Sequence, residues 1–110
     1  MWKEGVRARG RLILAVAAPS PTGEPRLGLS VGRKYDRSAV ARNRARRLLR
    51  EAFRLRRPEL PALDFVLVPL PALHGERVRA VEEELVTLAG KLAERLAARG
   101  PDAASAEEHP

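Results

Sequence analysis

The stretch Ser38-Ala-Val-Ala-Arg42-Asn43-Arg44-Ala-Arg46-Arg47-Leu-Leu-Arg50-Glu51-Ala-Phe53-Arg54-Leu-Arg-Arg57 contains no glycine or proline, and Pro58 closes it. Ser38 is a predicted N-cap, because its hydroxyl can accept from an amide of the first turn. The capping box is incomplete, since Ala41 stands where Glu or Gln would complete it. At 100° per residue, Ala41, Ala45, Leu48, Leu49, Ala52 and Leu55 share one arc, with Phe53 at its edge. Arg42, Asn43, Arg46, Arg47, Arg50 and Arg54 share the opposite side, and Arg44 lies apart near Glu51.

The charge is concentrated there. The chain has 110 residues and a net charge of +7, with 21 Lys plus Arg against 14 Asp plus Glu. From Arg33 to Arg57 there are eleven basic residues and two acids, so this quarter carries +9 and the remainder −2. Eighteen of the basic residues are arginine; a GC-rich genome would enrich arginine everywhere, but not in one segment. Arg42, Arg46, Arg50 and Arg54 form an i,i+4 series of like charges. Each such pair costs about 0.2–0.5 kcal/mol in an isolated helix. A helix selected for stability alone would intersperse glutamate. A face built this way fits a polyanion, and arginine's planar fork suits phosphate.

Outward from this helix, Arg11–Ala17 reads as a strand covered on both faces. Pro19, Pro21, Gly23 and Pro25 make a loop. Arg26–Gly32 alternates, with Leu27, Leu29 and Val31 on one face and Gly28, Ser30 and Gly32 on the other. The two strands are expected to pair as an antiparallel hairpin. The small-residue face admits two readings: close packing beneath a helix, or a shallow groove for an extended ligand. Asp64–Val68 is a third strand, closed by Pro69-Leu70-Pro71. A second amphipathic helix runs from about Glu76 to Arg99, with Val78, Val81, Leu85, Leu88, Leu92 and Leu96 as its stripe. Gly100-Pro101 is expected to stop it, leaving residues 100–110 as a disordered acidic tail after a single domain over residues 1–99.

The residue inventory excludes several chemistries. There is no cysteine, so disulfides and thiolate sites are out, and a reducing, cytoplasmic setting is expected. The only histidines are His74 and His109, too few for an imidazole metal cluster or a Ser-His-Asp triad. His74 is assigned a surface or capping role. Glycine-rich nucleotide loops are absent, and no protein active site, bound metal or small-molecule ligand is expected. No apolar run is long enough to span a membrane, so no membrane partner is expected. Phe53 and Phe65 fall on apolar faces; Tyr35, beside Arg33-Lys34, is placed either in base stacking or in loop packing.

Two quoted segments carry a resemblance: Arg26-Leu-Gly-Leu-Ser-Val-Gly-Arg-Lys34, and Arg42-Asn-Arg-Ala-Arg-Arg-Leu-Leu-Arg-Glu-Ala-Phe53. Together with the run from Arg54 into Val68 they closely resemble the bacterial ribonuclease P protein family, whose hallmark is an Arg-Asn-Arg motif on a helix. The resemblance covers roughly Met1–Arg99. It implies an α/β (α+β) two-layer sandwich: a small mixed sheet, the basic helix in a left-handed β-α-β crossover, and a C-terminal amphipathic helix. General connection rules would give a right-handed crossover, so the hand rests on the resemblance alone.

The resemblance further implies an accessory, RNA-binding subunit of an endoribonuclease that removes the 5′ leader from precursor tRNA. Its partners would be the catalytic ribonuclease P RNA, working with Mg²⁺, and the leader itself. Arg33, Lys34, Arg42, Asn43, Arg44, Arg46, Arg47, Arg50 and Arg54 are the expected RNA-binding residues, and Gly28, Ser30, Gly32 and Tyr35 the expected leader cleft. The family's first helix looks missing, with Met1–Gly5 resembling its end and Trp2 an aromatic position there. Ala15 and Val16 stand where many members have a cleft tyrosine, and Pro69-Leu70-Pro71 replaces residues often basic. Two alternatives share the basic helix: a ribosomal or assembly protein that binds structured RNA without cleavage, and a DNA-binding helix-turn-helix protein. The second would need a short helix before Ser38, where a strand is expected.

Overall fold

The structure, a computed structural model, describes the backbone of residues 5–108 and the side chains of residues 5–99. Trp2 and His109 lie outside the described residues. Four strands form one sheet: β1 (Val6–Arg9), β2 (Ile13–Pro19), β3 (Arg26–Leu29) and β4 (Leu63–Pro69). Helix α1 (Ala39–Arg56) joins β3 to β4 through a short 3₁₀ turn, and α2 (Val78–Glu108) follows β4 after a second one, Pro71–Leu73.

The strand order is β1-β2-β4-β3. β4 is antiparallel to β2 and parallel to β3, which makes β3, α1 and β4 a β-α-β unit within a mixed sheet. The expected hairpin between the second and third strands is therefore a correction: β4 lies between them. The physical reason is twofold. Pro19 through Pro25 is too long and too proline-rich for a two-residue hairpin turn. And β4, with Leu63, Phe65 and Leu67 all buried, takes the central position where both edges are paired. Strand β3 is also shorter than expected, ending at Leu29 rather than Gly32, although Ser30 still donates its amide to the Leu67 carbonyl at 3.0 Å.

β1 was not expected. Val6-Arg7-Ala8-Arg9 alternates buried and exposed residues, and Val6 and Ala8 join the core. Its pairing with β2 runs from Val6 opposite Ala17 to Arg9 opposite Leu14. Both helices pack on one face of the sheet. The core joins Ile13, Ala15 and Ala17 of β2 and Phe65 and Leu67 of β4 to Leu49 and Phe53 of α1 and Val81, Leu85, Leu88 and Leu92 of α2. Phe53 meets Phe65 edge to face, centroids 6.0 Å apart.

Two helical details also differ from expectation. The buried arc of α1 centres on Ala45, Leu49, Ala52 and Phe53, so Phe53 is core while Leu55 is 41 % exposed. And α2 continues through Gly100-Pro101 to Glu108, where a stop and a disordered tail were expected. The residues beyond Pro101 are mostly Ala and Glu, strong helix formers, so helix can resume after the one backbone donor that proline lacks.

Candidate nucleic-acid interface

Helix α1 begins as its sequence specifies: the Ser38 hydroxyl accepts from the Ala41 amide at 3.2 Å, and Asp36 accepts from the Ser38 amide at 2.8 Å. The arginines on its outer surface fall into three groups. Arg42 and Arg46 are only partly exposed and turn inward onto backbone. Arg42 donates to the carbonyls of Asp36 (3.1 Å) and Arg37 (2.8 Å), and Arg46 to the Val31 carbonyl (3.1 Å) and the Asn43 side chain (2.8 Å). These bonds fasten the loop between β3 and α1 to the helix. Arg54 is exposed but pairs bidentately with Glu51, at 2.9 and 2.7 Å. The Glu51 carboxylate thereby sits below its usual pKa, chiefly through that hydrogen bond. Arg44, Arg47 and Arg50 are exposed and make no hydrogen bond or ion pair among the described residues.

Arg33, Lys34 and Arg37 add a basic cluster in the exposed turn before α1, which the Tyr35 amide closes onto the Gly32 carbonyl at 3.0 Å. Asn43 is exposed on the same helix, its side-chain oxygen held by Arg46. The expected positive face thus exists, but with a division of labour: Arg42 and Arg46 organise it, and Arg44, Arg47 and Arg50 present it.

The expected cleft residues are not all brought together. Gly28 lies on the sheet face turned away from the helices, in one row with Arg7, Val16 and Val66. Among the described residues, a methyl group at Gly28 would meet only Val66 and the Phe65 carbonyl, at 3.5 and 3.7 Å, so no described helix presses on it. Close packing under a helix is therefore not the reason for this glycine among the described residues. Ser30 and Gly32 are exposed. Tyr35 instead packs against the core on the helix side. Arg7 and Arg9, on the outer row of β1, were missed; the alternation of Val6 to Arg9 was the available signal.

A model of the family described as ribonuclease P matches residues 1–93. The chain belongs to the ribonuclease P protein family. Its relatives named "Ribonuclease P protein component" include those of Escherichia coli O157:H7, 50 % identical, and Serratia proteamaculans (strain 568), 48 % identical. Each comparison extends over 88 residues, 80 % of this chain and 74 % of the relative. The ribonuclease P protein of Thermotoga maritima superposes with a TM-score of 0.72 at 28 % identity, covering 81 % of this chain and 84 % of that one. That of Staphylococcus aureus, at 24 % identity, shares the fold with a TM-score of 0.67 over 83 % of each chain.

One further cluster lies beside the arginine face. His74, in the turn after the 3₁₀ segment, stacks on Tyr35 with centroids 4.2 Å apart and planes 6° from parallel. Its Nδ1 lies 2.8 Å from the Pro71 carbonyl and its Nε2 3.0 Å from Asp36. With both nitrogens beside acceptors the imidazolium is favoured, and the His74 pKa rises, first through Pro71 and then through Asp36. Asp36 is lowered, chiefly by the Ser38 amide and next by His74. Tyr35 is raised, mainly by its burial. Sequence reading gave His74 a surface or capping role; its partner Asp36 is 38 positions away, and no local pattern announces it.

Proposed function

We propose that this chain is the RNA-binding subunit of ribonuclease P, gripping the catalytic RNA through α1 and assisting removal of the 5′ leader from precursor tRNA. The observation that carries this is the outward presentation of Arg44, Arg47 and Arg50, cations that make no hydrogen bond or ion pair among the described residues, on a helix whose inner side is committed to the core. Cations placed so, beside Arg33, Lys34 and Arg37, neutralise phosphates without reading sequence. Asn43 and Arg54 border the same face.

The leader would lie along the second face of the sheet, across Gly28 and Ser30, with Arg7 and Arg9 at its edge and Gly32 beyond. Catalysis is assigned to the RNA with its Mg²⁺. Asp64 pairs with Arg26 at 2.7 Å, Glu51 pairs with Arg54, and Glu84 accepts from backbone amides. No helix of the described residues is long and apolar enough to cross a membrane.

The test adds the protein to ribonuclease P RNA at low Mg²⁺ and follows precursor-tRNA cleavage. Wild type should raise the rate, and Arg47→Glu with Arg50→Glu should abolish the rise while the fold, followed by circular dichroism, persists. Binding without any rise in cleavage would instead identify a structured-RNA-binding protein.

A further inference from the structure

A groove of about 720 Å³ runs between α1 and the segment from Leu73 to Val78, within the roughly 300–1,000 Å³ typical of ligand clefts. Its floor is apolar, with Ala41, Ala45, Leu48, Leu73 and Val78. Arg44, Arg47 and Arg50 line its outer side, and the stacked rings of Tyr35 and His74 line another. The two carboxylates present, Glu51 and Glu76, are paired with Arg54 and Arg11, so the arginines dominate the charge around it. Leu48, only partly buried, and the neighbouring Leu55 leave apolar surface on a flank of the helix that the core does not use.

Phosphate contact alone needs no such floor, and an apolar protein segment would not need the arginines. We propose that this groove receives one unpaired nucleobase of the RNA partner, stacked against His74 above the Leu48 floor, with the phosphates flanking it on Arg44 and Arg47. The inference rests on the reading of the partner as RNA and deepens it: besides a charged face, the protein carries a pocket for a splayed-out base. The His74 ring is built for this. Hydrogen bonds at both nitrogens fix its plane, Tyr35 backs one side, and its side chain remains 44 % exposed. A ring already immobilised loses little entropy when a base stacks on it. At Gly75, next to it, an added methyl would meet none of the described residues within 4 Å, so the approach is open on that side.

The test measures affinity for ribonuclease P RNA across salt concentrations, together with chemical probing of the RNA bases. His74→Ala should weaken binding about five- to 150-fold, the span of one base–aromatic stack. The slope against salt, measured at a pH above the His74 titration, should stay as in wild type, because a neutral ring that stacks releases no counterions. One base shielded by wild type should become reactive. His74→Phe, which keeps a ring, should restore most of the affinity. Leu48→Trp, which fills the groove while leaving His74 in place, should mimic His74→Ala, with the fold of both variants checked by circular dichroism. Wild-type affinity and shielding in both His74→Ala and Leu48→Trp would overturn the nucleobase site while leaving the arginine face intact. A wild-type protein that fails to bind ribonuclease P RNA would overturn the parent reading too. A concentration-dependent dimer in sedimentation, abolished by Leu48→Trp, would assign the groove to a second copy and overturn the inference.

Discussion

Gly10 lies directly beneath the carboxylate of Glu84: a methyl group added at Gly10 would stand 2.4 Å from the Glu84 Cδ and Oε2 atoms. That carboxylate accepts from the backbone amides of Arg11 (3.0 Å), Leu12 (2.8 Å) and Ile13 (2.7 Å). One side chain of α2 thus holds the turn between β1 and β2, and the glycine is the space it occupies. Glu84→Ala should destabilise the fold by about 2 kcal/mol, the scale of leaving partly buried amides without their acceptor. The urea midpoint should fall with the m-value unchanged.

Gly10→Ala should cost a similar amount, since it displaces the same carboxylate. The two effects should not add. In a double-mutant cycle, Gly10→Ala introduced into Glu84→Ala should cost less than about 0.5 kcal/mol. Full additivity in the denaturation curves would show that the glycine serves some other need.

Arg46 and Arg47 are neighbours with different tasks. Arg46 bonds the Val31 carbonyl and Asn43, whereas Arg47 bonds nothing among the described residues. Arg46→Ala should lower stability by about 1–2 kcal/mol as well as weakening RNA binding. Arg47→Ala should leave stability within about 0.5 kcal/mol and reduce only the binding. Paired thermal melts and filter-binding assays separate the two. Across the face, neutralising about six phosphates implies a loss of roughly three orders of magnitude in affinity between 50 and 200 mM salt.

His74 should titrate above its ordinary value of 6.5, as followed by its ring proton shifts. Asp36→Asn should bring the midpoint down; an unchanged midpoint would deny the pair. The sign for stability follows. The raised histidine stabilises fully at low pH and loses its contribution as pH rises through the folded value. The lowered Asp36 stabilises at higher pH and loses its contribution as pH falls through its own folded value. The link between the loop before α1 and the turn before α2 is therefore strongest between those two titrations. Arg42 acts on Asp36 in the same direction as His74, and Arg44 faces Tyr35 from the helix.

Gly28→Val should be accepted by the fold, since the added methyls point off the sheet where no described helix lies and valine favours a strand. It should raise KM for precursors carrying a leader several-fold and leave affinity for the RNA subunit unchanged. Cleavage kinetics with and without a leader decide this, and equal KM values would remove Gly28 from the leader path.

What the linear chain determined is what repeats over short distances. Helix α1, its Ser38 cap and its outward arginines follow from a period of 3.6 residues, and the apolar stripe of α2 follows likewise. The strand character of β2, β3 and β4 was equally local. Strand order was not: the prolines between β2 and β3 argue against a tight hairpin, but that β4 enters between them follows from contacts made across the whole sheet. Only the tertiary structure decided which arginines are free. A guanidinium reaches several ångströms, so the Val31 carbonyl that captures Arg46 is found by folding, whereas the Glu51 carboxylate that captures Arg54 is an i,i+3 neighbour on the same helix that spacing along the chain already allows.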